Sequence, residues 1–361
     1  MSENSTYELH LILREDGPLK REYLKYAKVH LFLPQKFYFS KNPVANLVRK
    51  IRLRFHRFFL QKKLASEKFS LIYCNTIVNR NVLEFLSFLN CNIITHVREL
   101  TDTINIFGGK HLVQYFDRVS LKFITISQAC SNNLVKEFNV NAGKVKVIQN
   151  FILPPSIEPG LQKKNIYAEL GIPENSFIIG SAGGLIWRKG PDLFLLLAKI
   201  ILNRLPDEKI FFVWMGEGNP EITGHLEMDV KLSDLKERVL FIGNKENPHR
   251  YFSVFDVFTL MSREEPFGLV GLEAAFFETP TLCFEKSGGM PEFVGDDAGF
   301  IVPYLDVPAM ADKVILLFND INRRKQLGHN AKIKAQTLHN IDLQMQKILI
   351  EIDEAIGAIK S

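Results

Sequence analysis

The sequence predicts an α/β fold of two Rossmann-like domains, each built on a parallel sheet, facing a central cleft. Three observations predict it. Short apolar runs alternate with helix-period stretches through both halves, as in parallel sheets joined by crossover helices. The length of 361 residues suits two domains of about 150 to 180 residues better than one. Polar and glycine residues recur just after the apolar runs, where open parallel sheets bind their ligands.

Taken in order, residues 8–13, 71–74, 92–97, 123–127 and 145–149 read as buried strands of the first half. Helix-like stretches such as 82–89 and 131–138 lie between several of them. In the second half, 177–183, 210–215, 239–243, 257–261 and 281–284 read as strands in the same way. Prolines and a glycine interrupt both periods between Pro154-Pro155 and Pro159-Gly160, which sets the expected domains at 1–157 and 158–340. The last stretch, 341–361, carries Ile341, Met345, Ile348, Ile352 and Ile356 at helical spacing.

Composition excludes several classes. With 46% hydrophobic and 24% charged residues, the chain has the balance of a globular protein and not of a disordered one. No run reaches the roughly 18 apolar residues of a membrane span, and residues 1–6 lack the apolar core of a secretory signal. Cys74, Cys91, Cys130 and Cys283 are widely spaced in apolar surroundings, which predicts reduced, buried thiols in a cytoplasmic protein and no metal-ligand spacing.

The net charge of +5 is unevenly spread. Arg49, Lys50, Arg52, Arg54, Arg57, Lys62 and Lys63 crowd into 47–64, with no acid until Glu67. Val48, Ile51, Phe55, Phe58 and Phe59 form one helical stripe among them. Such a helix suits an anionic membrane surface, each cation contributing up to about 1 kcal/mol. It equally suits a core helix with a solvated basic face. No nucleic-acid motif accompanies the patch, so nucleic acid is not an expected partner.

The chemistry concentrates at the strand ends: Asn75-Thr76, His96 to Glu99, Gly183-Gly184 with Arg188-Lys189, Gly216 to Gly218, Gly243-Asn244, 262–268 and Ser287-Gly288-Gly289. The most informative segment is Ser262-Arg-Glu-Glu-Pro-Phe-Gly-Leu-Val-Gly-Leu-Glu-Ala-Ala275. Glu265 sits in a loop, and Glu273 in the helix that Pro266 and Gly268 introduce. Amides around Phe267 to Val270, at a positive helix end, form an anion nest, and Gly271 would let a ligand approach the helix closely. Amides for phosphate and carboxylates for hydroxyls suit a sugar diphosphate, at about 1.5–3 kcal/mol per charged hydrogen bond. The same acids also fit a capping residue and a surface helix residue.

This segment resembles the E-x7-E signature of family 4 retaining glycosyltransferases of the GT-B fold. Upstream, Val254-Phe-Asp256-Val-Phe-Thr-Leu-Met-Ser262 resembles the family's "aDvfvlPS" strand. Downstream, Gly288-Gly289-Met-Pro291-Glu292 resembles its "GGxPE" loop and Gly299-Phe-Ile-Val302 its "tGllv" strand. Lys189-Gly190-Pro-Asp192 resembles "KG.D", Met215-Gly-Glu-Gly218 "vGdGp", and Ser127 and Asn150 lie in stretches like "iavS.a" and "vipNg".

The resemblance implies a transferase that moves a sugar, with retention, from a nucleoside-diphosphate sugar to a cell-surface glycan or lipid-linked acceptor. Glu265 would bind the sugar hydroxyls and Glu273 the ribose. Lys189 and Arg188 would hold the diphosphate, since Gly183 stands where many relatives carry an arginine. Gly183, Gly184, Gly216, Asn244, Pro266, Phe267, Gly268 and Leu269 would complete the donor site, and His96 or Arg98 would reach the donor from the first domain. A structural pair of Arg98 with Glu99 is the alternative. No Asp-x-Asp motif occurs, so neither a metal nor another cofactor is expected. The last helix would cross back to the first domain. Family members also open with a further strand, glycine-rich loop and helix, about 30 residues, ahead of the strand that 7–13 resembles. The first domain is therefore expected to lack a central strand, which motivates an inactive, ligand-binding remnant as a rival. A sugar-nucleotide epimerase or a phosphorylase of the same fold is the other.

Overall fold

The computed structural model describes residues 7–33, 42–155 and 162–357. The fold is α/β, and every strand pairing described in it is parallel. The chain forms two compact units, one of residues 1–96, 111–122 and 349–361, the other of 97–110 and 123–348. The expected boundary at 154–160 falls largely outside the described residues.

In the first unit β1 (His10–Leu13) pairs with β2 (Lys28–Leu31), and β3 (Leu71–Cys74) with β4 (Asn92–Val97). Strand β2 was not legible in the sequence. Its four residues include only Val29 and Leu31 as apolar ones, and its buried position is a histidine, His30, which hydrogen-bonds His10 at 3.2 Å. The helix Pro43–Ala65 starts on Asn42, whose side chain accepts from the Val44 amide at 2.9 Å, with Pro43 preset for the first turn. Its Leu60 and Leu64 are buried against Leu86. The stripe through Ile51, Phe55 and Phe59 is not: those side chains are exposed, which removes the core-helix reading of that face.

The final helix, Ile341–Gly357, ends in this unit. Lys122 pairs with Glu351 and, at 2.8 Å, with Glu354, and the Asn92 amide donates to the Ala355 carbonyl at 2.8 Å. Ile348, Ile352 and Ala355 form its buried stripe. The end of this helix thus packs beside Asn92 and Lys122.

The second unit holds the pair β5 (Lys122–Thr125) and β6 (Val145–Val147) and a six-stranded sheet. The sheet contains β7 (Phe177–Ala182), β8 (Ile210–Met215), β9 (Val239–Phe241), β10 (Val257–Leu260), β11 (Thr281–Phe284) and β12 (Gly299–Val302), in the order β12-β11-β10-β7-β8-β9. Every residue of β7, β8, β10 and β11 is buried, because both faces are covered. Ile178 and Phe258 enter one core, and Ile179 and Trp214 the other. The chain runs outward from β7 through β8 and β9, then restarts at β10 and runs the other way. Ligand crevices in such sheets open at the carboxyl ends of the strands flanking that reversal.

Candidate functional site

The loops leaving β7 and β8 are fastened as closely as backbone permits. The Gly183 amide donates to the Met215 carbonyl at 2.8 Å, the Trp214 indole to the Gly183 carbonyl at 2.9 Å, and the Gly216 amide to the Gly243 carbonyl at 3.0 Å. Gly216 has φ +134°, and a Cβ there would stand 2.0 Å from the Gly183 oxygen. Only glycine fits. Asn244 joins the cluster through Glu217, whose carboxylate accepts from its side-chain amide at 3.0 Å. Gly183, Gly184, Gly216 and Asn244 therefore lie together at one end of the sheet.

Beyond Gly184 a single turn, Trp187–Lys189, leads through Gly190 in the left-handed region into the helix Pro191–Arg204. The Lys189 stem lies along Gly183, and its ammonium pairs with the Glu265 carboxylate. Arg188 Nη1 is 3.8 Å from the same carboxylate oxygen, and Ser262 Oγ is 3.4 Å from it. Glu265, Lys189 and Arg188 thus meet across 76 residues of sequence.

Arg263, which the sequence reading missed, holds this turn in place. Its guanidinium makes two bonds to Asp192, at 2.9 and 2.7 Å, one to the Trp187 carbonyl at 2.7 Å, and lies over the Trp187 ring. Burial opposes ionisation of Asp192, but the bonds and charge of Arg263 outweigh it and hold the carboxyl below its usual range.

Glu265 itself is 7% exposed. Its amide donates to the Ser287 carbonyl at 2.6 Å, and its carbonyl accepts from Gly289 at 3.1 Å. A Cβ on Gly288 would stand 1.8 Å from the Glu265 oxygen, so the double glycine exists to admit the Glu265 backbone. Pro266 accepts from Ser127 Oγ at 2.8 Å, and the Phe267 ring is buried beside His339. The Phe267 ring is thus taken up by packing, and the Pro266 carbonyl by Ser127.

Gly268, φ +86°, opens the helix Leu269–Phe276. Among the described residues the Leu269 and Val270 amides have no hydrogen-bond partner, which leaves donors at a positive helix end. Glu273 follows one turn later, about 6 Å along the axis. It is half-buried, has no hydrogen-bond or ion-pair partner among the described residues, and burial raises its pKa. Gly271 does not serve ligand approach. The position its Cβ would take lies 2.6 Å from the Met290 methyl, so that face is filled by core packing.

His96 and Arg98 both have partners within the protein. His96 is 2% exposed and its Nδ1 is 2.7 Å from the Tyr73 hydroxyl. The Arg98 guanidinium lies 3.4 Å from Asn150 Oδ1, and the Arg98 backbone amide donates to the Glu99 carboxylate at 2.8 Å.

Two further acids escaped the sequence reading. Glu264 accepts the Asp102 amide at 3.1 Å, at the start of the helix Thr101–Ile106. Glu292 accepts the Gln128 and Ala129 amides at 2.9 and 2.7 Å, at the start of the helix Gln128–Asn132. Burial raises the pKa of both, against the lowering effect of those amides. Capping acids usually lie within three residues of their helix start; these come from more than 160 residues away, which no local pattern reveals. Among the described residues no group of three or more His, Cys, Asp and Glu converges as metal ligands do.

Residues 162–334 match the family Glycosyl transferases group 1. That segment holds every residue of the Lys189, Glu265 and Glu273 arrangement. Similar proteins agree. The capsular polysaccharide biosynthesis glycosyltransferase CapM of Staphylococcus aureus is 27% identical over 45% of this chain and 42% of its own length. An Escherichia coli enzyme, UDP-Gal:alpha-D-GlcNAc-diphosphoundecaprenol alpha-1,3-galactosyltransferase, is 24% identical over 88% of this chain and 81% of its own. The chain matches 42% to 59% of the length of three curated relatives, CapM among them. Anabaena HepE, solved in complex with UDP and glucose, superposes with a TM-score of 0.76 at 20% identity, over 95% of this chain and 91% of that one. The likeness to this solved structure shows a GT-B fold.

Proposed function

We propose that this protein moves a sugar from a nucleoside-diphosphate sugar to a glycan or a lipid-linked acceptor, with retention at the anomeric carbon. The observation that carries the reading is the Glu265 carboxylate held by Lys189 and Arg188 at the sheet's ligand-binding end, next to the helix that presents the unpartnered Glu273. The names of the Staphylococcus aureus and Escherichia coli relatives support the acceptor class, and the latter, with the UDP-bound HepE, makes UDP the first base to try.

In this reading the donor lies on residues 158–340. Its diphosphate takes Lys189, Arg188 and the Leu269 and Val270 amides, its ribose takes Glu273, and the sugar hydroxyls take Glu265. Donor binding then divides the Lys189–Glu265 pair, the ammonium turning to phosphate and the carboxylate to hydroxyls. As the sugar–phosphate bond breaks, charge grows on the departing diphosphate. Two fixed cations and a helix end stabilise it, the task a divalent metal performs elsewhere, so the reaction needs no metal or cofactor. The acceptor hydroxyl attacks from the face the nucleotide leaves, so no protein nucleophile is used.

Thermal-shift titration with UDP, GDP, ADP and TDP, alone and as sugar conjugates, tests this. A ligand at about 100 times its Kd stabilises by about 2.7 kcal/mol, a rise of a few degrees for a chain of this size. A rise with one base, followed by release of that diphosphate from its sugar conjugate, is expected. No rise with any of them, from a sample that melts cooperatively, would sink the donor site.

A further inference from the structure

The helix Pro43–Ala65 has two apolar faces, and only one of them is used by the fold. The used face carries the buried Leu60 and Leu64. Beside it, His56 Nε2 lies 2.7 Å from the Leu31 carbonyl and Arg57 covers the Phe32 ring at 4.1 Å. The opposite face carries Val44, Leu47, Val48, Ile51, Phe55, Phe58 and Phe59. At 3.6 residues per turn these fall within an arc of about 120° centred away from the protein. All seven are between 44% and 66% exposed. A contiguous exposed apolar strip of that size marks an interaction surface.

The charges choose the partner. Arg52 and Lys63 border one side of the strip, and Lys50 and Arg54 the other, all exposed. Lys62 lies on the strip itself with its ammonium over the Phe58 ring, from where a long stem can carry it to the strip's edge. The whole helix holds seven cations and no acid. A second copy of this face would meet it with the same sign of charge. A nucleic acid would satisfy the cations but leave three phenylalanines in water. An anionic bilayer surface satisfies both, with phenylalanine and aliphatic side chains in the acyl boundary and the flanking cations among the headgroups. Among the described residues no helix is long and apolar enough to cross a membrane, so the contact is one that lies in the surface.

We propose that the outward face of the helix Pro43–Ala65 docks the first unit onto an anionic lipid surface, with Phe55, Phe58 and Phe59 inserted and Lys50, Arg52, Arg54 and Lys63 on the phosphates. The assignment stands apart from the sugar-transfer reading, since it uses none of the donor-site residues and is read without a donor.

Flotation of the full chain with vesicles tests it. Retention is expected on phosphatidylcholine containing about one-third phosphatidylglycerol at about 0.1 M salt, with release at about 0.5 M, where screening shortens to a few ångströms. Pure phosphatidylcholine should retain little. Each cation near the surface is worth about fivefold in partitioning, so Arg52→Glu/Arg54→Glu should weaken retention at least 25-fold. Phe55→Ser/Phe59→Ser should weaken it at least tenfold, and both variants should melt like the parent because the changed side chains are exposed. Equal retention on both vesicle types, retention on neither, or retention unchanged by the phenylalanine variant overturns the proposal. So does light scattering that finds a dimer in the parent and a monomer in Phe55→Ser/Phe59→Ser, which would make the strip an interface between copies.

Discussion

Lys189→Ala is the perturbation that separates the parts of the proposed donor site. In the free protein the Lys189 and Glu265 side chains are 16% and 9% exposed, so the pair is largely out of water. Removing one partner of a buried pair costs about 3–5 kcal/mol when the other is left alone. Here Arg188 at 3.8 Å and Ser262 at 3.4 Å still face the carboxylate. The loss should fall to about 1–3 kcal/mol, the cost of an under-satisfied buried acceptor, or several degrees in Tm. Turnover should fall about 100- to 1,000-fold, the usual effect of deleting one preorganised group that stabilises transition-state charge. The two effects come apart in the double variant. Lys189→Ala with Glu265→Gln removes the orphaned charge, so the melting temperature should recover by most of what Lys189→Ala lost while turnover stays low. Release of nucleoside diphosphate from the donor found by thermal shift is the activity assay. Turnover of Lys189→Ala within about threefold of the parent, less than 1 kcal/mol in barrier, would refute the role of the cation. Recovery of turnover in the double variant would mean that Lys189 only restrains Glu265.

Other consequences follow from the same geometry. Burial raises the pKa of Glu273, so the folded state binds that proton more tightly than the unfolded one. Stability is then lost as pH rises from the ordinary glutamate range through the raised value, and the penalty is fully present above it. Glu273→Gln should therefore melt higher than the parent near pH 7.5, with the difference closing by about pH 4, while the nucleotide-induced shift shrinks; a pH-independent difference would refute the burial argument. Arg263→Ala should free the turn that carries Lys189. Because Asp192 is half in water, the ion pair itself is worth only about 1 kcal/mol, and the larger effect, read by steady-state kinetics, should be about a tenfold rise in donor KM. Gly216→Ala places a methyl 2.0 Å from the Gly183 oxygen at φ +134°. Denaturant melts should show a loss of about 2–5 kcal/mol, with nucleotide stabilisation gone.

Much of the second unit was legible because its central strands are buried on both faces. That condition forces unbroken apolar runs such as Ile210–Met215, and a run ends where the loop must turn polar to serve a ligand. Lys189, Glu265 and Glu273 stand at such ends or one turn beyond them. What escaped was of two kinds. Strand β2 is too short and too polar to show a period, since its buried position is His30. Gly271, read as a place for ligand approach, makes room for the Met290 side chain instead, and a glycine in a helix looks the same in sequence whether ligand or core approaches it.

The sequence by itself determined the alternating architecture, the place of Glu265 and Glu273 at a strand end and in the helix after it, and the basic, aromatic composition of the 43–65 helix, because each is written in residues close together in the chain. Only the tertiary structure decided that Lys189 and Arg188 reach Glu265, that Arg263 locks their turn through Asp192, and that Glu264 and Glu292 cap helices more than 160 residues away. It also decided which side of the 43–65 helix faces out. Periodicity states that a helix has an apolar stripe, but not whether protein or something else covers it. That depends on what packs against the helix, and here Leu60 and Leu64 take the protein side and leave Phe55 and Phe59 exposed.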